Sequence, residues 1–298
     1  MIEKLVNKIR TTNSSFIFAG SRGVGKRHTA LEIAKSILCK KIPACNVCDE
    51  CRRIEKEIHP NVITIKPEGD DKDIKIENIR EMVKSLTFSA AEGNKRFVIV
   101  DEAHRMNESS SNAMLKTLEE PPRDTIFILL SSNLHSMLPT IISRCEVIKF
   151  PPMSDDKMVS ILNISPSHPL LSYSMGSIST FNFYISNEPQ IMSLLSFLQK
   201  PVASYVDINE LALDIIYIVS SDSKAQELEN MEYIISLIMF ELVKKCEVAA
   251  QSGNDPCNIL DCIEEIRSIS KKIYMNTSAT VVLENMLLEV SKLGNQEN

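Results

Sequence analysis

Between residues 13 and 150, short unbroken apolar runs alternate with stretches whose apolar residues recur every three or four positions; beyond residue 150 only the second pattern continues. Ser15–Ala19 (SFIFA), Val62–Ile65, Phe97–Val100 (FVIV), Thr125–Leu130 (TIFILL) and Glu146–Phe150 read as strands. Gly25–Leu38, Ile76–Leu86 and Ser109–Leu118 read as helices. Strand runs without polar alternation are covered on both faces, which predicts a mostly parallel sheet between helical layers. Ligands on such sheets bind beyond the carboxyl ends of the strands. Pro151 and Pro152 break the pattern and mark a boundary. A short helical region rich in Ser and Pro over Ser165–Ser179 follows to about residue 198. From residue 199 to 298 helical spacing dominates, as in Leu211, Ile215 and Ile218, or Ile234, Leu237, Ile238 and Leu242. The expected division is therefore 1–150, 151–198 and 199–298.

Directly after the first strand stands Gly20-Ser21-Arg22-Gly23-Val24-Gly25-Lys26-Arg27. Gly20, Gly23 and Gly25 let the backbone wrap an anion, the helix that follows adds partial positive charge, and Lys26 can reach outer phosphates. The residue after the lysine should be Ser or Thr to ligate Mg²⁺, and here it is Arg27. Thr29, two residues on, lies on another side of the helix and substitutes poorly. The third strand ends in Asp101 and Glu102, where one carboxylate would hold Mg²⁺ through water and the next would activate an attacking water. Half of a nucleotide-hydrolysing apparatus is present. His104 reads as a polar loop residue.

Four of the eight cysteines, Cys39, Cys45, Cys48 and Cys51, fall within thirteen positions between the loop helix and the second strand. Thiolates at this spacing can converge on one tetrahedral Zn²⁺ and leave no open position, which makes the metal a structural staple. Cys145, Cys246, Cys257 and Cys262 show no such spacing.

Composition narrows the partners. The formal net charge of −6 argues against bulk electrostatic binding of nucleic acid. The charge is uneven: residues 1–60 carry 12 Lys and Arg against 6 Asp and Glu, and the rest carry 21 against 33. A basic N-terminal region can face phosphates or simply water. Met1–Arg10 intersperses charges among its apolar residues, unlike a signal peptide. Tyr233–Leu242 is about half as long as a bilayer span. No membrane association is expected, and cysteines clustered for metal fit a reducing cytoplasm without disulfides.

The run Asp101–Pro122 (DEAHRMNESSSNAMLKTLEEPP), the segment Leu138–Cys145 (LPTIISRC) and the inserted cysteines together resemble the bacterial clamp-loader branch of the AAA+ ATPases. The resemblance is close over residues 1–150 and holds in outline beyond. It implies an α/β AAA+ (P-loop NTPase) domain with an inserted zinc module at 39–51, a small helical lid and an all-α collar through which subunits assemble. In that family the arginine of Ser-Arg-Cys enters the neighbouring subunit's nucleotide site, which points to Arg144 acting in trans. Arg27, and a Gly176–Thr180 segment without the basic residue of motor subunits, favour the rigid delta-prime group over the gamma/tau motors. The implied partners are gamma/tau and delta subunits, the sliding clamp and, through the assembly, primed DNA. Structural Zn²⁺ is the implied cofactor. ATP with Mg²⁺ is not expected to turn over at this loop, and binding without hydrolysis stays open. Two alternatives are a gamma/tau-like motor that tolerates Arg27 and a zinc-stabilised AAA+ scaffold outside replication.

Overall fold

The unbroken apolar runs become the strands of a single parallel sheet. The computed structural model describes residues 2–11, 14–39, 41–67, 73–86, 95–201, 204–275 and 277–294. In chain order the first unit contains α1 (Ile2–Thr11), β1 (Ser15–Ala19), α2 (Lys26–Leu38), α3 (Asp49–Glu55), β2 (Val62–Ile65) and α4 (Ile76–Ser85). It continues with β3 (Arg96–Val100), α5 (Glu108–Glu119), β4 (Thr125–Ser131), α6 (Pro139–Ile142) and β5 (Cys145–Lys149). Each expected strand and helix of this half is found with ends displaced by at most one residue. Three helices had no counterpart in the pattern: α3 and α6 are too short to show a period, and the apolar residues of α1 are diluted by charge.

The strand order is β2-β3-β4-β1-β5, and each pairing is parallel. Successive side chains point to opposite faces, and both faces are covered. Phe16, Phe18, Phe97 and Ile99 pack with Val6 and Ile9 of α1 and Ile33 of α2. Ile17, Val98, Val100 and Phe127 pack with Ile79 and Met82 of α4, Met114 of α5 and Ile141 of α6. Two-sided burial explains why alternation is missing from the strand sequences.

The order also sets the site. β4 lies between β1 and β3, so the carboxyl ends of β1 and β3 stand about 9–10 Å apart, two interstrand spacings. A long side chain from the turn after β1 can reach the tip of β3. At the β1 end, a Cβ built on Gly20 would lie 2.2 Å from the Phe150 carbonyl oxygen, so the approach of the segment after β5 requires glycine there.

The second unit runs from Asp155 to Asn298 and the first from Met1 to Ser154. In the second unit, α7 (Asp155–Leu162), α8 (Ile178–Ser186), α9 (Glu188–Gln199) and α10 (Tyr205–Val219) precede α11 (Lys224–Gln251), α12 (Cys257–Lys271) and α13 (Ala279–Gly294). The Ser- and Pro-rich segment between α7 and α8 forms turns and one short 3-10 turn, Ser172–Ser174. α13 packs on α10 and α12, and α9 packs on α10 and α11. The Tyr184 hydroxyl donates to the Tyr233 carbonyl at 2.8 Å, and the Tyr173 hydroxyl donates to the buried Glu241 at 2.7 Å. Residues 295–298, at the end of the expected C-terminal region, lie outside the described residues. Among the described residues, no helix is long and apolar enough to cross a membrane.

Candidate phosphate loop and cysteine site

The loop between β1 and α2 has the shape its glycines predict. Gly23 and Gly25 hold φ of 76° and 89°, in the left-handed region that side chains disfavour. α2 then starts with the Thr29 N–H donating to the Gly25 carbonyl at 2.9 Å. Lys26 folds back over the loop: its Nζ donates to the carbonyls of Gly20 at 2.6 Å and Ser21 at 2.7 Å. The Lys26 pKa is lowered to about 8, chiefly by burial; Asp101 opposes the shift and the nearby Arg22 adds to it.

Arg27 takes the place the missing hydroxyl would have. One guanidinium nitrogen lies 3.4 Å from Asp101 Oδ2, and the other pairs with Glu57. Glu57 in turn holds Lys66 at 2.7 Å. Burial pushes the Asp101 pKa up, and Arg27, Lys26 and Lys66 pull it back. A divalent cation would find its expected carboxylate already facing a fixed positive charge.

Glu102 is equally occupied. Arg22 pairs with one of its oxygens and Arg105 Nε lies 2.9 Å from the other. Glu102 has a φ of 49°, which costs a non-glycine residue about 1–3 kcal/mol unless its surroundings hold it there. The two arginines supply that hold. His104, read from sequence as a simple loop residue, is partly buried instead, and burial with Arg105, Arg22 and Lys26 around it lowers its pKa to about 4. Its Nε2 lies 3.3 Å from the Ser132 hydroxyl.

The basic surplus of residues 1–60 is therefore spent partly on internal carboxylates at the strand ends. Arg22, Arg105, Glu57 and Lys66 were not singled out by the sequence. Arg22 sits inside the glycine loop and Arg105 three residues beyond Glu102, and both spacings were visible. Glu57 and Lys66 carried no local signal.

The four clustered cysteines do converge. Their sulfurs all lie within 4.8 Å of one another, with Cys39–Cys45 at 3.6 Å and Cys45–Cys51 at 3.9 Å. Four sulfurs about 2.3 Å from a tetrahedral Zn²⁺ would be about 3.8 Å apart, so the donor set fits such an ion. Backbone N–H groups of Val47 and Cys48 draw the Cys45 pKa down to about 6, which favours the thiolate that metals bind. Cys51 is buried, and burial pushes its pKa up to about 12.

The module is tied to the loop helix. Lys35 of α2, only 5% exposed, donates to Glu32 at 3.1 Å and to Asn46 at 3.2 Å, and also to Glu55 of α3. Glu57, directly after α3, is the residue that reaches Arg27. Among the described residues, Cys145, Cys246, Cys257 and Cys262 join no such cluster.

Arg144 lies elsewhere. Ser15 of β1 pairs with Cys145 of β5, so Arg144 stands at the amino-terminal edge of the sheet and the glycine loop at the carboxyl edge. A five-residue strand separates them by about 16 Å. Arg144 Nε donates to Glu119 Oε1 at 2.7 Å, Nη2 meets the same oxygen, and Nη1 donates to the Thr140 carbonyl at 2.9 Å.

A family model described as DNA polymerase III, delta subunit, matches residues 1–154, just over half of the 298. The chain is similar to DNA polymerase III subunit delta' of Bacillus subtilis, 24% identical over 317 aligned positions that cover 97% of this chain and 94% of that protein. It is 34% identical to subunit delta' of Pseudomonas aeruginosa over 134 residues, 44% of this chain and 41% of that protein. It is 35% identical to subunit tau of Escherichia coli over 134 residues, 44% of this chain and 20% of that one.

Proposed function

This chain belongs to the DNA polymerase III, delta subunit family, and from that premise we propose that it is a delta-prime-type clamp-loader subunit that hydrolyses no ATP itself and serves its neighbour. The observation that carries the reading is Arg27, whose guanidinium faces Asp101 where a nucleotide-bound Mg²⁺ would need that carboxylate. With Glu102 held between Arg22 and Arg105, neither carboxylate is available for metal binding or for activating water. A motor needs both.

Arg144 is the group offered outward. It stands about 16 Å from its own loop, beyond the reach of one side chain, so any nucleotide it meets belongs to another subunit. A guanidinium stabilises the charge that develops on a transferring phosphoryl group. In this reading the chain helps load the sliding clamp onto primed DNA in the cytoplasm, in a ring with gamma/tau and delta subunits. Residues 151–198 act as its lid and 199–298 as its collar. Cys39, Cys45, Cys48 and Cys51 hold a structural Zn²⁺ that fixes α3 and the turn carrying Glu57.

The test is Mg-ATP turnover, measured for this chain alone and for a loader reconstituted with its gamma/tau and delta partners, the clamp and primed DNA. The chain alone is expected to be silent. Arg144→Ala is expected to lower the loader's rate by about 10³-fold or more. Turnover by the isolated chain would make it a motor, and an unaffected loader would remove the role of Arg144.

A further inference from the structure

α5 ends in a way that helix energetics disfavours. Glu119 is its last residue and Glu120 follows, which puts two carboxylates at the end where unsatisfied carbonyls already carry negative charge. Pro121 and Pro122 come next, and a residue before proline is driven out of helical conformation, so the stop is fixed at this point. A local rule broken where no core packing demands it suggests a use. Glu119 spends its charge on Arg144.

The geometry of that contact is selective. A guanidinium has five N–H donors in a rigid fork. Glu119 Oε1 takes the Nε edge, at 2.7 Å from Nε and with Nη2 beside it. The Thr140 carbonyl takes one N–H of Nη1 at 2.9 Å. What is left is the second N–H of Nη2 and that of Nη1, the latter with only a long 3.4 Å contact to Ser143 Oγ. The Arg144 side chain keeps 31% of its surface exposed. The fork is thus held from one side, and one donor on each terminal nitrogen is left for two oxygens of an anion.

We propose that Glu119 is a positioning residue that presets Arg144 for the phosphoryl oxygens of a nucleotide bound by the neighbouring subunit. The inference rests on the reading that Arg144 works in trans. An unpaired arginine would have to freeze its long side chain when the neighbour's nucleotide arrives; ordering it beforehand moves that cost out of the reaction step. Glu119 itself touches no substrate.

The test uses the reconstituted loader carrying wild-type chain, Glu119→Gln, Arg144→Ala or both, with kcat and the KM for ATP measured separately. Glu119→Gln is expected to lower kcat by between about tenfold and about 100-fold, the range a present but misplaced group costs, with KM within about twofold. In the Arg144→Ala background the same change should cost nothing further, because the two residues form one unit. Unchanged kcat, or an equal loss in both backgrounds, would overturn the proposal. So would a fall in KM at constant kcat, which would make Glu119 a competitor for Arg144. If Arg144→Ala itself has no effect, the trans reading fails and this one falls with it. If only Glu119→Gln is silent, the trans reading stands and this one alone is lost. Unfolding midpoints of the four free chains check that each folds.

Discussion

Arg27 and Arg144 lie at opposite edges of one parallel sheet and both face carboxylates, yet Arg27 stands between two, Asp101 and Glu57, whereas among the described residues Arg144 is paired with one, Glu119. At the carboxyl edge, where this architecture puts ligand chemistry, the charges neutralise one another inside the chain. At the amino edge a single carboxylate, Glu119, holds the cation. The difference teaches where to look for function in a degenerate site: not at the motif, whose groups have become each other's partners, but at the cation that its own chain counters with one carboxylate rather than two.

The largest effect that would break this comparison is catalytic. Arg144→Ala should cost the assembled loader about 10³-fold or more in ATP turnover, while Arg27→Ala should leave that turnover within about twofold. Equal losses in the two variants would mean that the loop site also takes part and that the contrast between the edges is false.

Removing the metal sharpens it next. The position of Glu57 depends on α3, a seven-residue helix whose buried side chains are Cys51 and Ile54. Purified protein should hold close to one zinc per chain, and stripping it or introducing Cys51→Ser should destabilise the module by several kcal/mol. Hydrogen exchange should then rise at Glu57 and Ile58, whose amides bond to the Ile54 and Arg53 carbonyls. Protein with no zinc and unchanged exchange there would show that the sulfurs converge without a metal.

A smaller effect lies in stability. Arg27→Ala leaves Asp101 without its closest cation and should cost about 1–3 kcal/mol, the range for a group stripped of its partner. The lower end is expected because the Arg27 side chain is 36% exposed, so water screens the pair. The pH dependence has a definite sign. Burial already raises the Asp101 pKa, and losing Arg27 raises it further. The folded state then binds the proton more tightly than the unfolded chain, so stability falls as pH rises through the carboxylate range. The deficit of the variant, read from denaturant midpoints, should be full at neutral pH and shrink in acid; a deficit independent of pH would place the loss in packing.

Much of this was legible beforehand because the sheet is covered on both faces. SFIFA, FVIV and TIFILL can hardly be anything but central strands, and their order in the chain puts the glycine loop and Asp101 at the same edge. The cysteine spacing likewise anticipates the convergence of Cys39, Cys45, Cys48 and Cys51 found in space. The partners were hidden. That Arg27 meets Glu57, thirty residues away, depends on the turn after α3, where Glu57 adopts a φ of 55°. That Glu119 meets Arg144 depends on α5 and α6 packing together. Local spacing reads groups that act within one loop or helix, and it is blind to ion pairs made across elements, which are what decide whether a phosphate loop is open or closed by its own chain.

Lys26 gives the finest measure of that closure. In a working phosphate loop its charge is drawn toward the ligand, but here it faces two carbonyls in a partly buried site that lowers its pKa to about 8 from 10.5. Between those values the unfolded chain binds the proton and the folded chain does not, so the stability contributed by this residue rises with pH across that window. Lys26→Met cannot titrate. Its net effect at neutral pH should stay within about 1 kcal/mol, because the relief of burying a charge is offset by losing hydrogen bonds worth roughly 1 kcal/mol each. The informative quantity is the difference between the two proteins: wild type should gain on the variant from pH 8 to 10.5. Saturating Mg-ATP offered to the free chain should leave that slope unchanged if the loop is closed. A slope that vanishes with nucleotide would mean that phosphates reach Lys26 and keep it charged, and the two edges of the sheet would then differ in hydrolysis only, not in access.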